Sequence, residues 1–192
     1  DSWEAQGAKG WSYKDVLPYF KRSEHNEDGA DEWRGQGGPM HISSIKAPSV
    51  PARAFVESAT RLQIPRNRDF NGEKVEGVGF VQLNVRNGRR VSTAVGYLKP
   101  NLDRPNIRLK TETHVKRILM DGKRAIGLEV ETMGQVKRIR ARREVILSGG
   151  SINSPVLLLA SGIGPAAELK AMGVEVQHDL PGVGKDLQDH LM

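Results

Sequence analysis

The chain has 192 residues, a formal net charge of +6, 38% hydrophobic and 27% charged residues, and no cysteine. That composition is close to that of an ordinary soluble globular chain with a real core. It excludes disulfides, thiolate metal sites and a cysteine nucleophile. No apolar run approaches the ~20 residues of a membrane helix, and no leader pattern is present, so no membrane segment is expected and a cytoplasmic location is. The positive surplus suits an anionic partner, whether nucleic acid, an acidic membrane surface or a phosphate-bearing cofactor. The chain opens on Asp1 and ends at Met192 directly after Asp189-His190-Leu191; neither end reads as a natural terminus, so a fragment is expected.

In chain order, Ser12 caps a short helix over 12–24, with Val16, Leu17 and Phe20 at helical spacing and Pro18 inside it. Residues 27–51 read as a long Gly-, Pro- and Asp-rich loop with one short strand at Met40–Ser43. Pro51 starts an amphipathic helix carried by Phe55, Ala59 and Leu62 to about Gln63. Asp69-Phe70-Asn71-Gly72 is a turn, and the alternation over Val78–Leu83 predicts a strand ending at Asn87-Gly88. Ser92 caps a helix through Leu98, and Pro100 and Pro105 bracket a loop.

Four strand candidates follow: Ile107–Lys110, Val115–Met120, Ala125–Thr132 and Gln135–Leu147. The turns Asp121-Gly122 and Met133-Gly134 make the last three a hairpin meander. The final one breaks near Arg142, leaving Glu144-Val145-Ile146-Leu147 as a separate buried strand. It runs into Ser148-Gly149-Gly150, a tight turn, then into a helix capped at Ser154 with Pro155 at its first position. Val156 to Leu159 lack a polar face, which predicts burial on most sides. Gly162 ends that helix, Pro165 starts another, and Val174–Val176 forms a strand before Leu180-Pro181-Gly182-Val183-Gly184.

Gly162-Ile163-Gly164-Pro165-Ala166-Ala167 matches the letters of a dinucleotide fingerprint but follows a helix instead of opening one, so it reads as helix-ending punctuation. The isolated histidines His25, His41, His114 and His178 have no metal spacing. Asp189-His190 follows a Pro-Gly-x-Gly turn, where amides can face an anion and an imidazole can approach a cofactor; a helix-capping role for Asp189 is the alternative. Lys137, Arg138, Arg140, Arg142 and Arg143 read as a solvated strand edge, or, as the rival reading, as a polyanion- or nucleic-acid-binding face.

The run from Gly150-Ser151-Ile152-Asn153-Ser154-Pro155 through Ser161-Gly162-Ile163-Gly164 fits the second signature of the glucose-methanol-choline (GMC) oxidoreductases. Trp11-Ser12-Tyr13, Gly37-Gly38-Pro39, Arg90-Val91-Ser92, Arg104-Pro105-Asn106 and Leu180-Pro181-Gly182-Val183-Gly184 resemble the family in order, most like its bacterial choline dehydrogenase-like members. The resemblance implies a mixed α/β fold: residues 1–100 mainly substrate-domain and connecting material on an antiparallel sheet, and residues 101–192 part of an FAD-binding Rossmann-like domain with a β-meander. It implies FAD as cofactor, lined by Val115, Ser148, Gly149 and Gly150, with Asp189 and His190 close to the flavin. It also implies a small-molecule alcohol as partner and no nucleic acid. The family's GxGxxG turn and its distal histidine pair match nothing in this sequence, so no catalytic residue is assigned, and the chain alone is expected to hold no stoichiometric flavin and to oxidise no alcohol.

Overall fold

The computed structural model describes residues 1–189. They form two compact units, Asp1–Arg108 and a second beginning at Leu109.

In the first unit a short helix α1 (Ser2–Ala5) precedes α2 (Tyr13–Ser23). Helix α2 starts where the sequence places it because Ser12 and Asp15 form a capping box: the Asp15 N–H donates to Ser12 Oγ at 3.4 Å and the Ser12 N–H to Asp15 Oδ2 at 3.2 Å. The chain leaves α2 as strand β1 (Glu24–Asn26), which pairs in parallel with β2 (Met40–Ile42). Residues 27–39 make the return between them. That return lies directly on the end of α2: a Cβ on Gly35 would stand 1.8 Å from the Lys21 carbonyl oxygen, so only glycine fits there.

Helix α3 (Val50–Arg61) begins at Ser49, whose Oγ accepts from the Ala52 N–H at 3.4 Å, with Pro51 in its first turn. Its Val56 and Ala59 pack with Val78 and Phe80 as the unit's small apolar core. The strand expected over Val78–Leu83 does not form. Only Val78 bridges to Arg66 and only Leu83 to Ser43, and between those points no strand runs alongside. The alternation there records one half-buried face; it cannot supply a partner.

Strands β3 (Val85–Arg86) and β4 (Arg89–Arg90) instead make a hairpin about Asn87-Gly88. Ser92 does serve as a cap, accepting from the Val95 N–H at 3.4 Å, but the following Ala94–Leu98 turn is π-helical and tightens into a 3-10 turn at Lys99–Asn101.

Arg34 ties this unit together. Its side chain is buried, 8% exposed. Nε and Nη2 reach Asp69 at 2.5 and 2.8 Å, Nη1 reaches Glu24 Oε1 at 2.7 Å, and Nη2 also donates to Gln82 Oε1. Glu24 Oε2 in turn accepts the Gly35 N–H at 2.8 Å. Burial works against the guanidinium's charge, but the Asp69 hydrogen bonds and the nearby carboxylates outweigh it and hold its pKa above the ordinary arginine value.

In the second unit β5 (His114–Asp121), β6 (Arg124–Thr132) and β7 (Gln135–Arg140) form the expected meander, an antiparallel sheet with β6 central. Residues Ile107–Lys110 are not a strand. Arg117, Glu129 and Arg138 stand in register across the sheet, and Arg117 holds both Glu129 oxygens at 3.1 Å.

Residues 144–147 belong to no helix or strand, and Ile146 is 77% exposed. The buried strand expected there is absent because no described strand lies beside it to take its backbone hydrogen bonds.

Helix α4 (Gly150–Ala160) begins earlier than Ser154, leaving Pro155 inside the helix, where its missing N–H frees only the exposed Ser151 carbonyl. None of its residues is fully buried, and Ile152 and Val156 are exposed, so the burial predicted from its apolar run is not realised within the described residues. Strand β8 (Ile163–Gly164) pairs in parallel with β9 (His178–Asp179), and α5 (Ala166–Ala171) between them anchors Leu169, which is fully buried. Val174–Val176 is therefore not the strand: the Gly162 carbonyl accepts from the Gln177 and His178 N–H groups, which puts the pairing at His178–Asp179.

Arg34→Ala would leave Glu24 and Asp69 without their shared cation, and urea unfolding is expected to show a loss of about 3 kcal/mol; Arg34→Lys recovers only part, since an ammonium cannot make the two-pronged contact. A second expectation concerns acid. The Arg117 hydrogen bonds hold the Glu129 carboxyl below the usual range, so its stabilising effect is complete above the unfolded pKa and disappears as pH falls through the lower folded value. Denaturant midpoints measured from neutrality to about pH 3 should fall more steeply for the parent protein than for Glu129→Gln.

Candidate functional site

The second unit contains a cleft of about 480 Å³ between the start of β5, the segment 145–149 and one side of α4. Its walls are mainly Val115, Leu128, Val145, Leu147, Val156 and Leu157. His114, Lys116, Ser148, Asn153 and Ser154 add polar groups. An apolar concavity with a few convergent polar groups is the usual make-up of a small-molecule site.

Each wall has a local cause. Beyond Val115 the β5–β6 register shifts before Arg117, and such an irregularity re-aims the strand end. Ser148-Gly149-Gly150 then leads the segment before it into α4. Gly149 allows a close approach, because a Cβ there would lie 3.1 Å from Asn153 Cβ and 3.2 Å from the Ser154 nitrogen. Gly150 supplies the left-handed backbone at φ +86°. The Gly149 N–H donates to Ser154 Oγ at 3.0 Å, so this serine fastens the turn from inside the helix.

The fixed distance between β5 and α4 comes from Ser161, 7% exposed. Its Oγ accepts the Ile118 N–H at 2.8 Å and donates to the Leu157 carbonyl at 2.6 Å. Lys116 is partly neutralised by Glu131 at 3.2 Å.

Val115 and the adjacent pair Ser148-Gly149, separated by more than thirty residues of sequence, thus line one cleft, and Gly150 is outside its lining. Asp189 is exposed and outside the lining. His190 lies outside the described residues. Sequence reasoning gave no role to Ser161, Lys116 or Asn153. Ser161 stands inside the signature run, but its hydroxyl acts on a strand 43 residues away, a pairing no local pattern signals.

A cavity of about 530 Å³ in the first unit is lined by Arg34, Asp69 and Gln82, whose polar groups already satisfy one another. Among the described residues no cluster of His, Asp and Glu could hold a metal ion, and no helix is long and apolar enough to cross a membrane.

The fold is that of GMC FAD-binding oxidoreductases. The chain belongs to the GMC oxidoreductase family, whose description matches residues 1–192. The oxygen-dependent choline dehydrogenase of Brucella anthropi is 50% identical over 191 residues, an alignment covering 100% of this chain and 35% of that protein. Among solved structures, pyridoxine 4-oxidase from Mesorbium loti superposes with a TM-score of 0.84 at 36% identity, covering 91% of this chain and 35% of that one. An FAD-dependent oxidoreductase from Chaetomium thermophilum superposes with a TM-score of 0.89 at 29% identity, covering 98% and 35%. The chain spans about a third of the length of the curated relatives it matches.

Ser161→Ala removes the acceptor of a buried N–H and is expected to cost about 1–3 kcal/mol. Amide exchange at Ile118 should quicken more than at any other β5 position.

Proposed function

We propose that this chain forms part of an FAD-dependent oxidoreductase acting on the CH–OH group of an alcohol. The observation that carries the reading is the convergence of Val115 with Ser148-Gly149 in one cleft of a GMC-family chain. In this reading residues 1–100 are mainly substrate-domain and connecting material and residues 101–192 are part of the FAD-binding domain. The separation of compact units after Arg108 supports such a division.

The cleft fits the cofactor on its own chemistry. Val115 offers backbone and an apolar side chain to an adenosine ring, and Gly149 lets the turn that lines the cleft lie close against Asn153 and Ser154, which a Cβ would crowd at 3.1 and 3.2 Å. The amino end of α4, at Gly150 and Ser151, directs its N–H groups toward negative charge. Asp189 and His190 belong to the same reading as residues close to the flavin. FAD, when bound, accepts the hydride from the alcohol carbon. The residues of this chain bind and orient it, and the alcohol's proton is not assigned to any of them.

A small cationic primary alcohol of the choline kind is the favoured substrate class, because the choline dehydrogenase relative is the more similar, at 50% identity against 36% for the pyridoxine oxidase. A cytoplasmic location belongs to the same reading and is checked by cell fractionation.

The test uses the flavin-loaded protein that contains this chain. Anaerobic addition of choline should bleach the oxidised-flavin band. Gly149→Val should lower FAD affinity about tenfold or more, equivalent to at least ~1.4 kcal/mol. Unchanged affinity in that variant would remove the cleft from the cofactor site. A bound flavin that no alcohol in a broad panel can bleach would remove the reaction class.

A further inference from the structure

We propose that the free edge of β7 is a docking site for an extended acidic segment of a partner protein, added to the meander as a fourth strand.

All six residues of β7 are exposed. One of its edges pairs with β6, and among the described residues no strand pairs with the other. Unpaired N–H and C=O groups along a strand are a template for strand addition.

Most of the charge on this edge is uncompensated among the described residues. Strand β6 offers Glu129 and Glu131, but Arg117 holds Glu129 with two 3.1 Å contacts and Lys116 holds Glu131 at 3.2 Å. Arg138 reaches Glu129 only at 3.5 Å. Lys137, Arg140, Arg142 and Arg143 have no ion pair among the described residues. Arg140 stands opposite Gly127, which has no side chain to meet it. Five cations in seven residues, 137–143, without an acid among them, discourage two copies of this edge from pairing. For a strand of opposite charge the same field is attractive.

The spacing specifies the partner. Arg138 and Arg140 project on one face, roughly 6.8 Å apart by strand geometry, and together with Arg117 line a groove of about 360 Å³. Glu175 also lines it, leaving the arginines in excess. On the other face, Lys137 alternates with the half-exposed Ile139. A segment alternating acidic and apolar residues would place carboxylates beside Arg138 and Arg140 and an apolar side chain beside Ile139, the cross-strand pairs that stabilise a sheet. Single-stranded nucleic acid fits less well, because neither β7 nor the groove presents an aromatic ring for base stacking.

The test is a fluorescence-anisotropy titration of the protein with a labelled ten-residue peptide alternating Glu and Val. Expected are saturable binding that weakens as salt rises from about 50 to about 200 mM, protection of β7 amides from exchange, and at least tenfold weaker binding in Arg138→Gln/Arg140→Gln. That double variant should keep its far-UV spectrum, since Arg117 still holds Glu129. If it unfolds, Lys137→Gln/Arg140→Gln, which removes no ion pair, takes its place. A backbone N-methylated version of the peptide, unable to make ladder bonds, should not bind. No binding of the parent peptide, equal binding of the N-methylated one, or tighter binding of oligo-dT would each overturn the proposal.

Discussion

The hydroxyl of Ser161 governs the second unit. A serine near a helix end commonly returns its hydrogen bond to its own backbone, and Ser161 does so with Leu157. Its remaining lone pairs take the one β5 amide, Ile118, that points away from β6 at the middle of the strand. A buried backbone N–H without an acceptor is costly, so this contact fixes how closely α4 can lie against β5. The cleft between them inherits its width from that distance, and the positions of Val115 and Ser148 follow.

The first unit depends on a different kind of connection. Its apolar core is small, with Val56, Ala59 and Val78 as its buried members. Order in its long loops comes instead from polar groups that satisfy one another. Arg34 draws Glu24, Asp69 and Gln82 together, Lys21 clamps the Asp31 and Glu32 carbonyls at 2.6 and 3.0 Å, and Asp31 Oδ1 accepts the Trp33 and Arg34 N–H groups at 2.7 Å. A loop of this length would otherwise carry a large conformational entropy. Networks of this type rigidify when every member is paired, and no buried side-chain N or O atom among the described residues lacks a partner.

Ile146, Ile152 and Val156 stand open at 77%, 64% and 56%, on the segment and helix that form the cleft. The β7 edge presents a different character, with Gln135, Lys137, Arg138 and Arg140 as four of its six residues. One region of the second unit therefore favours apolar or aromatic company, and another favours an anionic strand.

The sequence by itself determined the features that arise within a few residues. Ser12 with Asp15, Ser49 with Pro51, and the Asp121-Gly122 and Met133-Gly134 turns encode their structure in local hydrogen bonds and backbone preference, so both helix starts and the meander were legible. The family signature at 150–164 was legible because its residues are contiguous. Tertiary structure alone decided what depends on a partner distant in the chain. Val78–Leu83 and Glu144–Leu147 carry the composition of strands but have no neighbouring strand among the described residues. Gly150 starts α4 before Ser154 because the backbone can turn there at φ +86°. Arg34 and Ser161, ordinary polar residues in the sequence, became structural centres only when segments 35 and 43 residues away came within hydrogen-bond reach. The physical reason is range: capping and turn energies are set by adjacent residues, whereas a ladder, a buried ion pair or a cleft exists only once distant segments have met.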